Sequence, residues 1–239
     1  MQRSKLALAA GIFGAVGLFD PGLGAALAHF GVLEPMQGFL LFGLGLLSAL
    51  IAGVLGLAAL YATRAAARRS GSKLAILGIA AALVAFAIIG LARQPGAGVP
   101  PINDISTDLS DPPAFASDPA GRGRDMSYPA DFVPQVRAAY PDLAPIRVSS
   151  DPDRALALAE ETARALGWDV VAVDPAAGTL LARETTRIFR FVDDVVVRMR
   201  PAEGGGSIVD VRSKSRDGQG DLGVNAVRIR SLTVQLAAN

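Results

Sequence analysis

The sequence predicts an α-helical membrane region of three spans followed by an α+β domain. In that domain an antiparallel sheet of four to five strands carries two helices on one face, a two-layer sandwich of the helix-grip kind. Three observations lead there. With 239 residues, 51% hydrophobic content and a mean hydropathy of +0.39, the chain is too apolar for an ordinary soluble domain unless its apolar residues are concentrated. They are: from Leu6 to Leu91 the ionisable side chains are Asp20, His29, Glu34, Tyr61, Arg64, Arg68, Arg69 and Lys73, whereas the chain from Arg93 onward reads as globular. From Trp168 the apolar period then changes to two, the period of a half-buried strand.

The membrane elements follow from length. A spanning helix needs roughly 20 apolar residues. MQGFLLFGLGLLSALIAGVLGLAALY, residues 36–61, reaches that without a charge, and KLAILGIAAALVAFAIIGLAR, residues 73–93, carries a basic residue at each end. The first segment, about 6–30, is interrupted by Asp20-Pro21-Gly22, so a full span places Asp20 near the far interface or breaks there. It also fits a signal peptide, and either reading leaves the later chain on the same side. Gly43, Gly45, Ala49, Gly53 and Gly56 allow close helix packing within the bundle, as an alternative to glycine that is merely frequent in spans.

Cations set the orientation. Arg3 and Lys5 precede the first segment, and Arg64, Arg68, Arg69 and Lys73 separate the second from the third, while the turn from His29 to Pro35 has no Lys or Arg. The positive-inside rule puts the amino terminus and the Arg-rich loop in the cytoplasm and the chain after Arg93 outside, as in a multi-pass protein of the bacterial inner membrane with a periplasmic domain. With no cysteine, disulfides, thiol catalysis, iron–sulfur clusters and thiolate zinc sites are excluded. A net charge of +1 gives no argument for nucleic acid as a partner.

Residues 94–127, QPGAGVPPINDISTDLSDPPAFASDPAGRGRDMS, are too rich in Pro, Gly, Ser and Asp for a helix or a central strand. Ile102, Ile105, Leu109 and Phe115 recur as anchors, so part of this tether is expected to pack on the folded domain of 128–239. There, DFVPQVRAAYP reads as a short helix and PIRVSS as a short strand. Asp151-Pro152 is an N-cap with proline at the first helical position, and the helix runs to Gly167 with Leu156, Ala159, Ala163 and Leu166 on one stripe. WDVVAVD, GTLLARETT, DDVVVRMRP and GSIVDVRSKS are four strands in an antiparallel meander, with Val195, Val197 and Met199 opposite in face to Val196, Arg198 and Arg200. A last helix capped by Asp221 sets Leu222, Ala226, Ile229, Thr233 and Leu236 on one stripe. Trp168, Phe189 and Phe191 are assigned to the core.

YPADFVPQVRAAYPDLAPI, GWDVVAVD, FVDDVVVRMRP, PPINDISTDLSDPPAF and VDVRSKSRDGQGDLGVNAVRIR resemble the signature segments of a bacterial and plastid family, domain of unknown function 1499. The resemblance runs from Pro100 to Leu236 and is most specific in Ser-x-Ser-Arg…Asp-x-Gly-x-Asn-Ala-x-Arg-Ile, Ser213 to Ile229. It implies a domain boundary and carries no activity.

Gly218, Gly220 and Gly223 form G-x-G-x-x-G, but the helix that follows is the last element, so no βαβ unit with a second acidic strand forms and no nucleotide cofactor is expected. The glycines are read instead as a tight turn and a close approach of helix to sheet. Two readings of the charges stay open. Arg198, Arg200, Arg212, Lys214 and Arg216, with Asp221, Asn225 and Arg228 at the helix start, are candidates for an anion or partner site. The alternative is a solvated face balanced by Asp193, Asp194 and Asp210.

The only histidine, His29, falls at the membrane boundary, which removes Ser-His-Asp and histidine metal chemistry from the domain. Asp193-Asp194, read as adjacent at a hairpin, suits a turn better than a shared-proton dyad, and Asn103, Asp104, Asp108 and Asp111 offer oxygen ligands for calcium but match no EF-hand loop. No catalytic residue, metal or cofactor is therefore assigned. The sequence points to a membrane-anchored binding or scaffold module of the cell envelope with membrane lipids and envelope proteins as partners. A hydrolytic or lipid-modifying enzyme using carboxylates and the basic strip is the alternative.

Overall fold

In the computed structural model, residues 2–65, 69–93 and 98–238 are described, with side chains over 4–62, 70–92 and 98–238. Arg68 lies outside the described residues, and the side chains of Arg3, Arg64 and Arg69 lie outside those described, so most of the cations used for orientation are too. The chain divides into two compact units, 1–94 with 187–190, and 95–186 with 191–239.

The first unit opens with β1 (Gln2–Arg3) and the helix α1 (Lys5–His29), capped by the Ser4 hydroxyl, which accepts from the Ala7 amide at 3.4 Å. Helix α2 (Pro35–Ala65), β2 (Arg69–Ser70), which pairs in parallel with β1, and α3 (Ser72–Arg93) complete it. All three helices are long and apolar enough to cross a membrane. Asp20-Pro21 does not break α1: Pro21 is buried and packs on Gly45 of α2, where an added Cβ would come within 2.5 Å of the proline ring. Gly17 faces Ala49 equally tightly, and Gly53 and Gly56 meet α3. Small residues therefore set helix contacts within the bundle, while Gly43 faces open space.

The second unit is an α+β sandwich. Its elements are β3 (Asp104–Ser106), α4 (Phe132–Ala139), β4 (Ile146–Val148), α5 (Pro152–Ala165), β5 (Asp169–Asp174), β6 (Thr179–Thr185), β7 (Val192–Pro201), β8 (Ser207–Ser215) and α6 (Val224–Ala237). The antiparallel sheet runs β3-β8-β7-β6-β5, and β4 pairs with the other half of β8. It has six strands rather than four or five because the tether supplies β3. An edge strand tolerates the surrounding prolines that exclude a central one.

Pairing of Val197 with Val211 and of Met199 with Val209 puts an apolar set on one face. Helix α5, held by Asp151 accepting from the Arg154 amide at 2.9 Å, and helix α6 cover it with Leu156, Ala159, Ala163, Ala226, Ile229, Leu232 and Leu236. Trp168 joins this core, whereas Phe189 and Phe191 are half-buried and do not. Leu222 also departs from expectation. Gly223, in the left-handed region at φ +85°, is the N-cap, so α6 starts at Val224 and Leu222 lies outside its stripe, 56% exposed. Of that stripe, Ala226, Ile229 and Leu236 are buried.

Candidate functional site

Of the eight candidate residues, five lie on or just past the strands and three at or just before the start of α6. Arg198, Arg200, Arg212 and Lys214 do form a row on the face away from α5 and α6, with Arg216 continuing past the strand end. Most of that row is withdrawn from solvent, with the Arg200 side chain 39% exposed. Residues 104–128 cross it as a strap, and each cation of the row is engaged by a carboxylate.

Arg212 is 2% exposed. Its Nε and Nη2 donate to the two oxygens of Asp104 at 2.9 and 2.8 Å, and further donors reach the carbonyls of Pro113 and Met126 at 3.2 and 2.9 Å. The guanidinium lies 5.0 Å from the Phe115 ring centroid and 5.2 Å from that of Tyr128. This is a bidentate pair flanked by aromatic faces, the arrangement for which a planar guanidinium suits better than an ammonium. Lys214 shares Asp104 at 2.9 Å. Arg198 and Arg200 converge on buried Asp210 at 3.0 and 2.7 Å, and reach Asp111 and Asp108 of the strap at 2.9 and 3.1 Å. Arg216 grips Asp194 at 2.7 Å, and Arg124 of the strap joins the same carboxylate at 3.2 Å. The calcium-like run Asp104, Asp108, Asp111 thus binds guanidinium and ammonium groups, and no group of three His, Asp or Glu among the described residues is placed to hold a metal.

The strap shapes itself around its acids. Asp118 accepts the amides of Ala120, Arg122 and Arg124, and Arg124 returns a side-chain bond at 2.6 Å. That arginine, with the three amides, holds the Asp118 carboxyl well below the usual carboxylate range. Burial pushes Asp108 up, but bonds from Ser110 and Asp111 and the charge of Arg200 outweigh it and leave it lowered.

On the helix side, Arg228 of α6 is the hub, 4% exposed. It donates to Glu184, to Asp193 at 2.7 Å and to the Ser213 hydroxyl at 3.0 Å, and it bonds Asn225 one turn earlier. Asn225 accepts from Ser213 at 2.6 Å and donates to the Ser215 hydroxyl at 3.0 Å. This cluster pins α6 to the ends of β7 and β8, with every member bonded. Asp193 and Asp194 point to opposite faces, Asp193 to Arg228 and Asp194 to Arg216 and Arg124. They lie inside β7 and form no dyad.

Nor is the start of α6 an open anion cradle. The amides of Gly223 and Asn225 both donate to the Asp221 carboxylate at 2.8 Å, and that of Val224 to the Asp221 carbonyl at 3.2 Å. Asp221 thus caps from outside the helix. Burial raises its pKa despite these bonds. Gly220 lies against Pro101 and Gly223 against Val99 and Tyr140, so both accommodate the incoming chain rather than the sheet. Tyr140 had no sequence signal beyond its place in a short helix. Its hydroxyl is buried without a hydrogen-bond partner among the described residues, its pKa is raised by burial and then by Asp221, and its ring faces Arg230 at 5.6 Å.

The model of a family described as protein of unknown function, DUF1499, matches residues 104–236. The chain belongs to the DUF1499 family. The match begins at Asp104, the partner of Arg212, and ends at Leu236, the last core residue of α6, so the DUF1499 unit includes the strap as well as the sheet and helices. The signature block falls on the Arg228 cluster: Ser213, Ser215, Asp221, Asn225 and Arg228 meet there across β8 and α6. No curated protein matches the chain.

Proposed function

We propose that this DUF1499 protein is a binding or scaffold module of the cell envelope, fixed by three membrane helices, with its α+β domain on the extracytoplasmic side and protein or lipid partners there. The observation that carries the reading is the closure of charge on the sheet. The strap-covered face carries guanidiniums and carboxylates at high density, and these engage one another rather than converging on a cleft. Such pairing is expected of a rigid body that presents its outer surface, and it leaves the basic row as internal structure instead of a landing site for anions. The orientation rests on the distribution of Lys and Arg.

The test is purification of the full chain in native membrane patches, with crosslinking and mass identification of what is retained. A protein or lipid held at fixed stoichiometry is expected. Retention of nothing would contradict the reading. A periplasm-dependent reporter fused after Asn239 should be active, and activity only of a cytoplasm-dependent one would overturn the orientation.

A further inference from the structure

The outer faces of α5 and α6 differ. Helix α5 shows solvent Asp153, Arg154, Glu161 and Arg164, as an exposed helix face should. Helix α6 has only two charged residues, Arg228, which is buried, and Arg230, which pairs with Asp142 at 2.6 Å on its flank. Its outward positions are instead uncharged, Val224, Val227 and Val234 at 42%, 60% and 68% exposure with Ser231 and Gln235 among them, and Leu222 lies just ahead. Ten steps of helical rise from Val224 to Val234 make this an uncharged, largely apolar stripe of about 15 Å.

The stripe starts where the chain arrives from the membrane region. The Asp221 amide donates to the Ile102 carbonyl at 3.1 Å, and Gly220 and Gly223 touch Pro101 and Val99. Only residues 94–98 separate Val99 from Arg93, the end of α3. A link of that length reaches at most about 18 Å, which bounds how far this edge can lie from the end of α3. The stripe exposes a few hundred Å² on each copy, short of the roughly 500 Å² per partner, about 1,000 Å² in all, that a stable interface with a second copy needs. A bilayer sets no such threshold for a domain already tethered to it.

We infer that the outer face of α6, Leu222, Val224, Val227 and Val234, lies on the lipid bilayer, with these side chains at the headgroup–acyl boundary. This rests on the membrane-anchored reading above. The contact is apolar, so it does not require anionic lipid.

The chain has no cysteine, so single labels are clean. Val227→Cys, Val234→Cys and, on α5, Glu161→Cys would each carry an environment-sensitive fluorophore in the full chain, one copy per nanodisc of phosphatidylcholine. A quencher on the lipid chains should act at least about twofold more strongly at 227 and 234 than at 161, because an interfacial helix buries its apolar face about 5–10 Å deep. The difference should survive high salt. Equal quenching at the three positions in incorporated protein would overturn the inference alone. Shielding that appears only with two copies per disc would overturn it in favour of self-association, and failure of the chain to incorporate would overturn the anchoring and the inference together.

Discussion

The two faces of one sheet solve burial by opposite means. Toward α5 and α6, β7 and β8 present Val195, Val197, Met199, Val209 and Val211, and water is excluded by apolar area. Toward the strap, the same strands present Asp194, Arg198, Arg200, Asp210, Arg212 and Lys214, and the strap closes over them with its own acids. The first face needs volume and shape. The second needs every partner present, since the charges of a buried pair attract strongly only if each remaining donor and acceptor is also met. A charged face of a sheet is therefore not by itself a surface. Its role depends on what crosses it.

The sharpest way to break this comparison is Arg212→Ala, which leaves Asp104 buried with only Lys214. A loss of about 3–5 kcal/mol is expected in unfolding of the full chain, as for a buried pair deprived of one member. Replacing Asp104, Arg212 and Lys214 together by Leu, Met and Met should recover most of it, and a loss under about 1 kcal/mol in the single variant would mean a solvated face. On the apolar face, Ile229→Ala should cost about 3 kcal/mol, with no recovery from any charge change. Away from both faces, Asp151→Ala removes one helix cap and should cost about 1 kcal/mol in the same assay.

The smallest effect separates the faces by pH. Asp118 is depressed in the folded state, so its stabilisation is complete above the ordinary aspartate value of about 3.9 and is lost as pH falls through its lowered pKa. Asp118→Asn should flatten the acid limb of the stability curve. Asp221 is raised, so its burial disfavours the folded state as pH climbs from about 3.9 through its folded value, the opposite slope. Thermal unfolding of each variant between acid and neutral pH reads both signs.

Helices and strands were readable in the sequence because each follows a local period: α5 from its cap and stripe, β5 to β8 from alternation, and the spans from length. The strap was half readable. Its anchors Ile102, Ile105 and Phe115 are buried as the spacing implies, but β3 was hidden among prolines, and Asp104 and Arg212 lie 108 positions apart, beyond any local pattern. The candidate cations were found by charge and alternation. Their partners were not, because a carboxylate in a Pro/Asp-rich stretch reads alike whether solvated or folded under. The phase of α6 failed at Leu222 for a local reason: the left-handed Gly223 resets the chain after the cap.

Hydrogen exchange along residues 104–128 in the full chain tests the central claim most directly. The Thr107 amide donates to the Val211 carbonyl at 2.9 Å, and the Val211 amide to the Thr107 hydroxyl at 2.9 Å. If the strap is a permanent part of the sheet, the amides of β3 and Thr107 should exchange as slowly as those of β8. Exchange of the strap within seconds beside a protected β8 would show the charged face opening to water, and would contradict the account.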